Sequence, residues 1–381
     1  MFMNMPQTPP DGLVVHRSAP MAPGDRGEEL GAAHAEGVRR TIEGYERLFR
    51  TVAGGAVDLG VLGGEALRAI DAFSPAAGAE VRGIALGAGA APEHVAALNA
   101  RTEILALLGA GGRGECSTVV VLGPGDQPPL TLQTWDWHDH FADGWMIWTV
   151  EHDDGRVVHV LTEYGMLGKI GVSSRGFGLH FNILHHRADA ATPAIGVPLH
   201  VLARATLDRA EDASGALAML GAAEVSASSA LTLVASGNAG KSAISADLVP
   251  EGPRFVAPAP TGLLIRTNHC LDPATALGDR APRVGPDSYL RHDVLSRALY
   301  GRTPATREAL RALMANHTGG SGAVCCHPEE GAELGDRWAT LATVSLDVHA
   351  GELWVRRNGP CDVASQWWAA GARATATTEA A

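Results

Sequence analysis

Gly114-Glu115-Cys116-Ser117-Thr118-Val119-Val120-Val121-Leu122 is the stretch at which the chain changes character. Before it, apolar residues recur every three or four positions, the spacing of one buried helix face. After it, β-branched and aromatic residues gather in short runs between turn residues, the signature of strands. Working upstream, Leu30, Val38, Ile42, Tyr45, Leu48 and Phe49 predict a helix over Glu28 to about Ala53, with further helical patterns at 62–73 and 92–108. Downstream, strand-like runs occupy 117–122, 130–137, 145–152, 157–164, 169–173 and 178–184. Turns such as Gly123-Pro124-Gly125-Asp126 and Asp153-Asp154-Gly155 separate them. Helical patterns at 198–209 and 213–220 follow, then strands at 230–236, 242–248, 254–257 and 263–268. Helices at 288–299 and 305–316 precede a last hairpin, 341–348 with 353–357. Segregated blocks of helices and strands argue α+β, not alternating βαβ. Two antiparallel sheets stacked face to face, with helices outside, use every piece.

Composition narrows the function classes. The chain has 381 residues, 46% hydrophobic and 19% charged, so it is neither disordered nor a membrane protein. Its net charge of −12, with no run of Lys or Arg, excludes a duplex-binding surface, which needs clustered cations. Apolar runs such as Val119–Leu122 are far shorter than a spanning helix. Residues 1–27 lack the basic start and apolar block of a secretory signal. Five widely spaced cysteines (Cys116, Cys270, Cys325, Cys326, Cys361) fit free thiols in a reducing, cytoplasmic compartment.

Two phosphate-loop patterns fail on context. Gly109-Ala110-Gly111-Gly112-Arg113-Gly114 follows a helix and precedes a strand, the reverse of the dinucleotide fingerprint. Ala235 to Ser242 approximates a Walker loop, but a strand follows it, so Gly237 and Gly240 read as a hairpin turn.

Cys116 is the residue with chemical promise, because of its position. Cleavage of the bond before it would put a thiol and a free α-amine on one residue. An α-amine with a reference pKa of about 7.7–8.0 is a competent general base near neutral pH. Thiol and base together make an activated nucleophile.

The surrounding pattern resembles a known family. Glu115-Cys116-Ser117-Thr118 and Gln133-Thr134-Trp135-Asp136-Trp137 are similar to the acyl-CoA:6-aminopenicillanate acyltransferases (isopenicillin N acyltransferases). The resemblance continues in order through Arg82 to Gly89, Leu98 to Ile104, Thr162 to Gly171, Gly176 to His185, Arg266 to Leu271, Asp287 to His292 and Arg337 to Leu341. It implies a four-layer αββα N-terminal-nucleophile hydrolase sandwich. It implies self-cleavage between Glu115 and Cys116, and an acyl-enzyme on Cys116 resolved by water or an amine. The chain then divides into a loose tail (1–27), a helical pro-segment (28–115), a catalytic part (116–365) and a flexible tail (366–381). The cleaved pro-segment stays bound as a heterodimer partner. The substrate is a small acyl amide or acyl thioester, with no cofactor beyond an acyl-CoA serving as donor.

By the same resemblance Asp136 orders the nucleophile and Asn268 donates to the oxyanion. Arg337 orients Asp136 or a substrate carboxylate, and Glu163 and Tyr164 line the acyl pocket. The sequence departs from the penicillin enzymes at Glu115, where they have Gly, and at Thr134, where they have Asn. Two competing readings stand beside this one. Asp136, His138 and His140 supply ligand types for a metal hydrolase. The scaffold could also bind acyl amides without turnover, although it retains Cys116, Asp136, Asn268 and Arg337. Adjacent Cys325 and Cys326 read as structural, and no metal is assigned.

Overall fold

The computed structural model describes residues 8–109, 116–189, 191, 194–237, 240–333 and 336–371. Glu115 and most of the Gly109–Gly114 pattern lie outside them. Strand β1 (Val15–Ser18) precedes six helices: α1 (Pro23–Ala33), α2 (Ala35–Ala53), α3 (Leu59–Phe73), α4 (Pro75–Ala88), α5 (Pro92–Asn99) and α6 (Arg101–Leu107). The first strand block is β2 (Ser117–Val121), β3 (Leu130–His138), β4 (Trp145–Glu151), β5 (Val157–Glu163), β6 (Ile170–Ser173) and β7 (Phe177–Ile183). After α7 (Leu199–Arg209) and α8 (Ala213–Ala222) come β8 (Ser229–Gly237), β9 (Gly240–Leu248), β10 (Arg254–Val256) and β11 (Leu263–Arg266). Short helices α9 (Pro273–Ala276) and α10 (Ala281–Val284) lead to α11 (Asp287–Leu299) and α12 (Arg307–Met314). The chain closes with β12 (Trp338–Asp347), β13 (Glu352–Arg357) and β14 (Trp368–Ala370).

Eight strands form one sheet in the order β1-β4-β5-β6-β7-β8-β9-β10, and six form the other, β11-β2-β3-β12-β13-β14. The sheets stack, with β12 and β13 over β5 and β6, and β2 over β7. In β2 the alternation of the pleat decides what faces what. Val120 joins the main core, whereas Val119 and Val121 pack with Leu295, Leu299, Leu310 and Met314 under α11 and α12. Helix α7 covers β5 to β7 on the far side of the other sheet. The result is the expected α+β arrangement of two stacked sheets between helical layers.

The differences from the sequence reading are local. The tail is not loose throughout: β1 pairs with β4, in parallel, so the eight-stranded sheet is mixed at one edge. Residues 366–381 are not wholly a tail, since β14 pairs with β13. The helix predicted over 28–53 starts at Pro23 and breaks at His34, and that over 92–108 breaks at Ala100. Helix α4 had no predicted counterpart, although Ser74 caps it and Pro75 occupies its first position. The Walker-like stretch is the β8–β9 hairpin, as its residues suggest. Among the described residues, no helix is long and apolar enough to cross a membrane.

Helices α1 and α4 approach so closely that their glycines meet backbone. A Cβ on Gly83 would lie 2.0 Å from the Gly24 carbonyl oxygen, and one on Gly27 would lie 2.2 Å from that of Glu80. The contact carries the buried Arg26–Glu80 ion pair, extended to Arg204 of α7. Gly83→Ala is therefore expected to lower stability by about 1–3 kcal/mol. Urea unfolding checks this, and an unchanged midpoint would reject the close approach.

Candidate active site

Cys116 is buried at the head of β2, between β11 and β3 in the six-stranded sheet. Its carbonyl oxygen accepts from Asn182 Nδ2 at 2.9 Å and from Arg291 Nη1 at 3.0 Å. Arg291, buried on α11, also donates to Ser117 Oγ, to Asn268 Oδ1 and to Asp287, each at 3.0 Å. Asp287 and Arg291 stand one helical turn apart, so the pair forms on one helix face. Asn182 sits on β7 of the opposite sheet, where it also accepts from Thr118 Oγ1 at 2.8 Å. The Cys116 backbone is thus held from both sides of the sandwich.

Asn268 follows β11, next to β2 in the ladder. Its amide orientation is set by two partners, with Oδ1 toward Arg291 and Nδ2 donating to the Ile183 carbonyl at 2.8 Å. Asp136 is fully buried on β3, opposite Thr340 of β12. Cys116, Asp136 and Ile183 line one narrow cavity together with Arg101, Trp135, Trp137, Lys169 and Phe181. Trp137 and Ile183 are shared with a larger cavity of about 440 Å³, walled by Leu48, Val52, Leu105 and Leu184 and edged by His185 and Asp189. Helices α2 and α6 supply part of that apolar wall.

A buried charge cluster closes the narrow cavity. Glu163, at the end of β5, accepts from Tyr45 and Lys169 and lies 3.4 Å from Arg101 Nη2. Lys169 sits 3.8 Å above the Trp135 ring and Arg101 4.0 Å above that of Trp137. Burial by itself would raise the Glu163 carboxyl, but Lys169 and Arg101 outweigh it and hold the group at about 2. Burial lowers Lys169, against the pull of Glu163.

The remaining expectations fall differently. Arg337 does not reach toward Asp136; it is substantially exposed and binds Asp139, at 2.7 Å from Nε. The reason is the ladder, in which the Asp139 amide bonds to the Arg337 carbonyl and the two side chains emerge together. Arg291 is the guanidinium bonded to the Cys116 carbonyl, and only its place in the Asp287–His292 stretch hinted at it. Glu163 is enclosed by its own partners, and Tyr164 lines a separate cavity with Gly37 and Arg40. Neither borders the large apolar cavity. Asp136, His138 and His140 do not converge as metal ligands: β3 ends at His138, whose ring packs on Trp338 at 4.3 Å. Among the described residues, the one group of three or more possible ligands that does converge lies elsewhere. Glu115 is outside the described residues.

The charge cluster makes a pH-dependent expectation. Because the Glu163 pKa is depressed from 4.5 to about 2, its ionised form stabilises the fold above the unfolded value and loses that contribution as pH falls through the folded one. Glu163→Gln, which removes the buried carboxylate that faces Lys169 and Arg101, is expected to cost about 3–5 kcal/mol at neutral pH. The gap to wild type should narrow between pH 4.5 and about 2, as read by denaturant unfolding across that range. A gap independent of pH would show that Glu163 is not ionised in the fold.

Comparison with known proteins places this geometry in a family. The profile of the acyl-coenzyme A:6-aminopenicillanic acid acyl-transferases matches residues 122–361. The acyl-coenzyme A:6-aminopenicillanic-acid-acyltransferase 40 kDa form of Emericella nidulans is 27% identical over 283 residues, 74% of each chain. Among solved structures, the Agrobacterium tumefaciens penicillin V acylase aligns at 12% identity and a TM-score of 0.45, over 64% of this chain and 83% of its own. The Caenorhabditis elegans ortholog of N-acylethanolamine-hydrolyzing acid amidase aligns at 10% identity and a TM-score of 0.44, over 61% and 93%. Since the profile spans well over half of the chain, this protein belongs to the acyl-coenzyme A:6-aminopenicillanic acid acyl-transferase family.

Proposed function

We propose that the protein is a self-processing cysteine amidohydrolase or acyltransferase with Cys116 as nucleophile. The observation that supports this reading is the shared lining of Trp137 and Ile183, which sets the narrow Cys116 cavity directly beside the large apolar one. An acyl chain in the large cavity would present its carbonyl toward the thiol.

In the processing step, the Cys116 sulfur attacks the Glu115 carbonyl carbon. The bond to the Cys116 nitrogen breaks, the nitrogen takes a proton, and a thioester remains. Water cleaves the thioester, leaving a carboxylate on Glu115 and restoring the thiol. In turnover, the new α-amine accepts the thiol proton while sulfur attacks an acyl amide or acyl-CoA carbonyl. The departing amine or thiol takes the proton, and water or an amine releases the acyl group. Asn268 supports the oxyanion role through its fixed amide, whose nitrogen lies at Ile183 on the cavity wall. Asp136 supports the ordering role from the same lining. The helical segment would remain bound after cleavage, because Leu30, Val38, Phe49, Ile70, Val81 and Ile104 are in the common core.

Intact mass measurement tests the first step. Wild type is expected to give fragments of roughly 12 and 28 kDa, and Cys116→Ala a single whole chain. Cleavage at this bond in the variant would overturn the mechanism, and processed wild type without acyl transfer or hydrolysis would favour a binding scaffold. For turnover, Asn268→Ala is expected to slow acyl-enzyme formation about 100-fold or more. Pre-steady-state acylation by a chromogenic acyl amide reads this, and an unchanged rate would remove Asn268 from the oxyanion role.

A further inference from the structure

Away from the Cys116 site, His317, Cys325, His327 and Cys361 gather so that one ligand atom of each lies within 4.8 Å of all the others. His327 Nε2 is 3.2 Å from His317 Nε2, 3.3 Å from Cys361 Sγ and 3.6 Å from Cys325 Sγ. Tetrahedral zinc, with bonds of about 2.0–2.1 Å to nitrogen and 2.3 Å to sulfur, needs edges of about 3.3 Å between nitrogens and about 3.6 Å between nitrogen and sulfur. These three edges fall within a few tenths of an ångström of those values. Two thiols and two imidazoles also form the donor set that prefers zinc over hard cations.

Three of the four ligands are placed by local structure that does not depend on an ion. The Cys325 amide bonds to the Asn316 carbonyl, which brings His317 alongside. Cys326 turns the other way, toward the Ser321 and Trp338 carbonyls, so the adjacent cysteines do not compete for one centre. Cys361 follows a turn in which Asn358 has φ 64° and bonds to Asp362 at 2.7 Å, while Arg311 donates to the Pro360 carbonyl. Gly359 lets the segments close: a Cβ there would lie 2.6 Å from Cys325 Sγ.

We infer that His317, Cys325, His327 and Cys361 form a structural zinc site. Four protein ligands close the coordination sphere and leave no position for substrate, which distinguishes it from a catalytic centre. The ion would join the chain after α12, the irregular segment leading to β12 and the turn after β13. The Cys326 amide bonds to Thr340, which stands opposite Asp136, and Glu333, Asp336 and Trp338 carry the same stretch to the wall of the large cavity. Zinc would therefore anchor that wall from behind. The alternative fate of two nearby thiols is a Cys325–Cys361 disulfide, which would leave both imidazoles without a role.

Metal analysis of the untagged full chain, purified from zinc-supplemented cells and dialysed against metal-free buffer, tests the site. Wild type and Cys116→Ala are both expected to hold about one zinc per chain, and Cys325→Ser and His317→Ala to lose most of it. Cobalt exchanged into wild type should give tetrahedral absorption with a thiolate charge-transfer band, a readout that needs no variant to fold. Wild type that binds neither ion would overturn the proposal. So would a Cys325–Cys361 disulfide found by peptide mapping, or full zinc content in both ligand variants. Because Cys116→Ala should keep its zinc, failure of the nucleophile assignment and failure of the metal site are read separately.

Discussion

The structure turns on the carbonyl group of Cys116. Cys116 stands at a strand head, and two buried side chains hold its backbone in place. Asn182 reaches from the eight-stranded sheet and Arg291 from a helix behind the six-stranded one. A guanidinium taken out of water is costly unless paired and hydrogen-bonded. Arg291 meets that condition through Asp287, Ser117, Asn268 and the Cys116 carbonyl together. The same contacts fix the Asn268 amide, so Arg291 holds Cys116 and Asn268 relative to each other.

This arrangement also explains why the sandwich is polar at one end. Two apolar sheets usually interdigitate aliphatic side chains, as Val120, Leu179 and Val344 do here. Near Cys116 the contacts are hydrogen bonds between the sheets: Thr118 to Asn182, and Gln133 with the His180 ring and the Phe181 amide. Such bonds are directional and set the register of one sheet on the other. Burial lowers His180 to about 3, so the ring stays neutral and suits a hydrogen bond rather than a charge. Precision around Cys116 is thus obtained from groups whose removal would leave buried polar atoms unsatisfied.

How much of this was legible follows from which contacts are local. Strand periods and turns between 117 and 268 read directly, because alternation along β2 to β9 is a property of neighbouring residues. Helix breaks at His34 and Ala100 did not, because each side keeps its apolar face and the kink serves packing. The position of Cys116 at the strand head was readable, and so was its resemblance to a family. Arg291 was not, since a helix-borne arginine one turn from an aspartate reads as an ordinary surface pair. That Arg337 pairs with Asp139 and not Asp136 was illegible for the converse reason: adjacency to Trp338 and the final strand says nothing about which face its side chain takes. Cys325 and Cys326 drew notice as a pair, whereas the structure joins Cys325 to residues 8 positions before and 36 after it.

The N-terminal helices have a further consequence for how the site works. Leu48 and Val52 of α2 and Leu105 of α6 form part of the large cavity wall, and Arg101 supplies one of the cations that hold Glu163 ionised. The segment is therefore part of the site. If the bond before Cys116 is cut, the core contacts of α1 to α6 keep that wall in place without a covalent link. A segment that left would open the cavity to water and strip Glu163 of a buried partner. Such a cut would free one residue's amine while the rest of the site stays in place. The close glycine contacts between α1 and α4 fit this requirement, because a rigid helical layer loses little order when its chain is cut at one end.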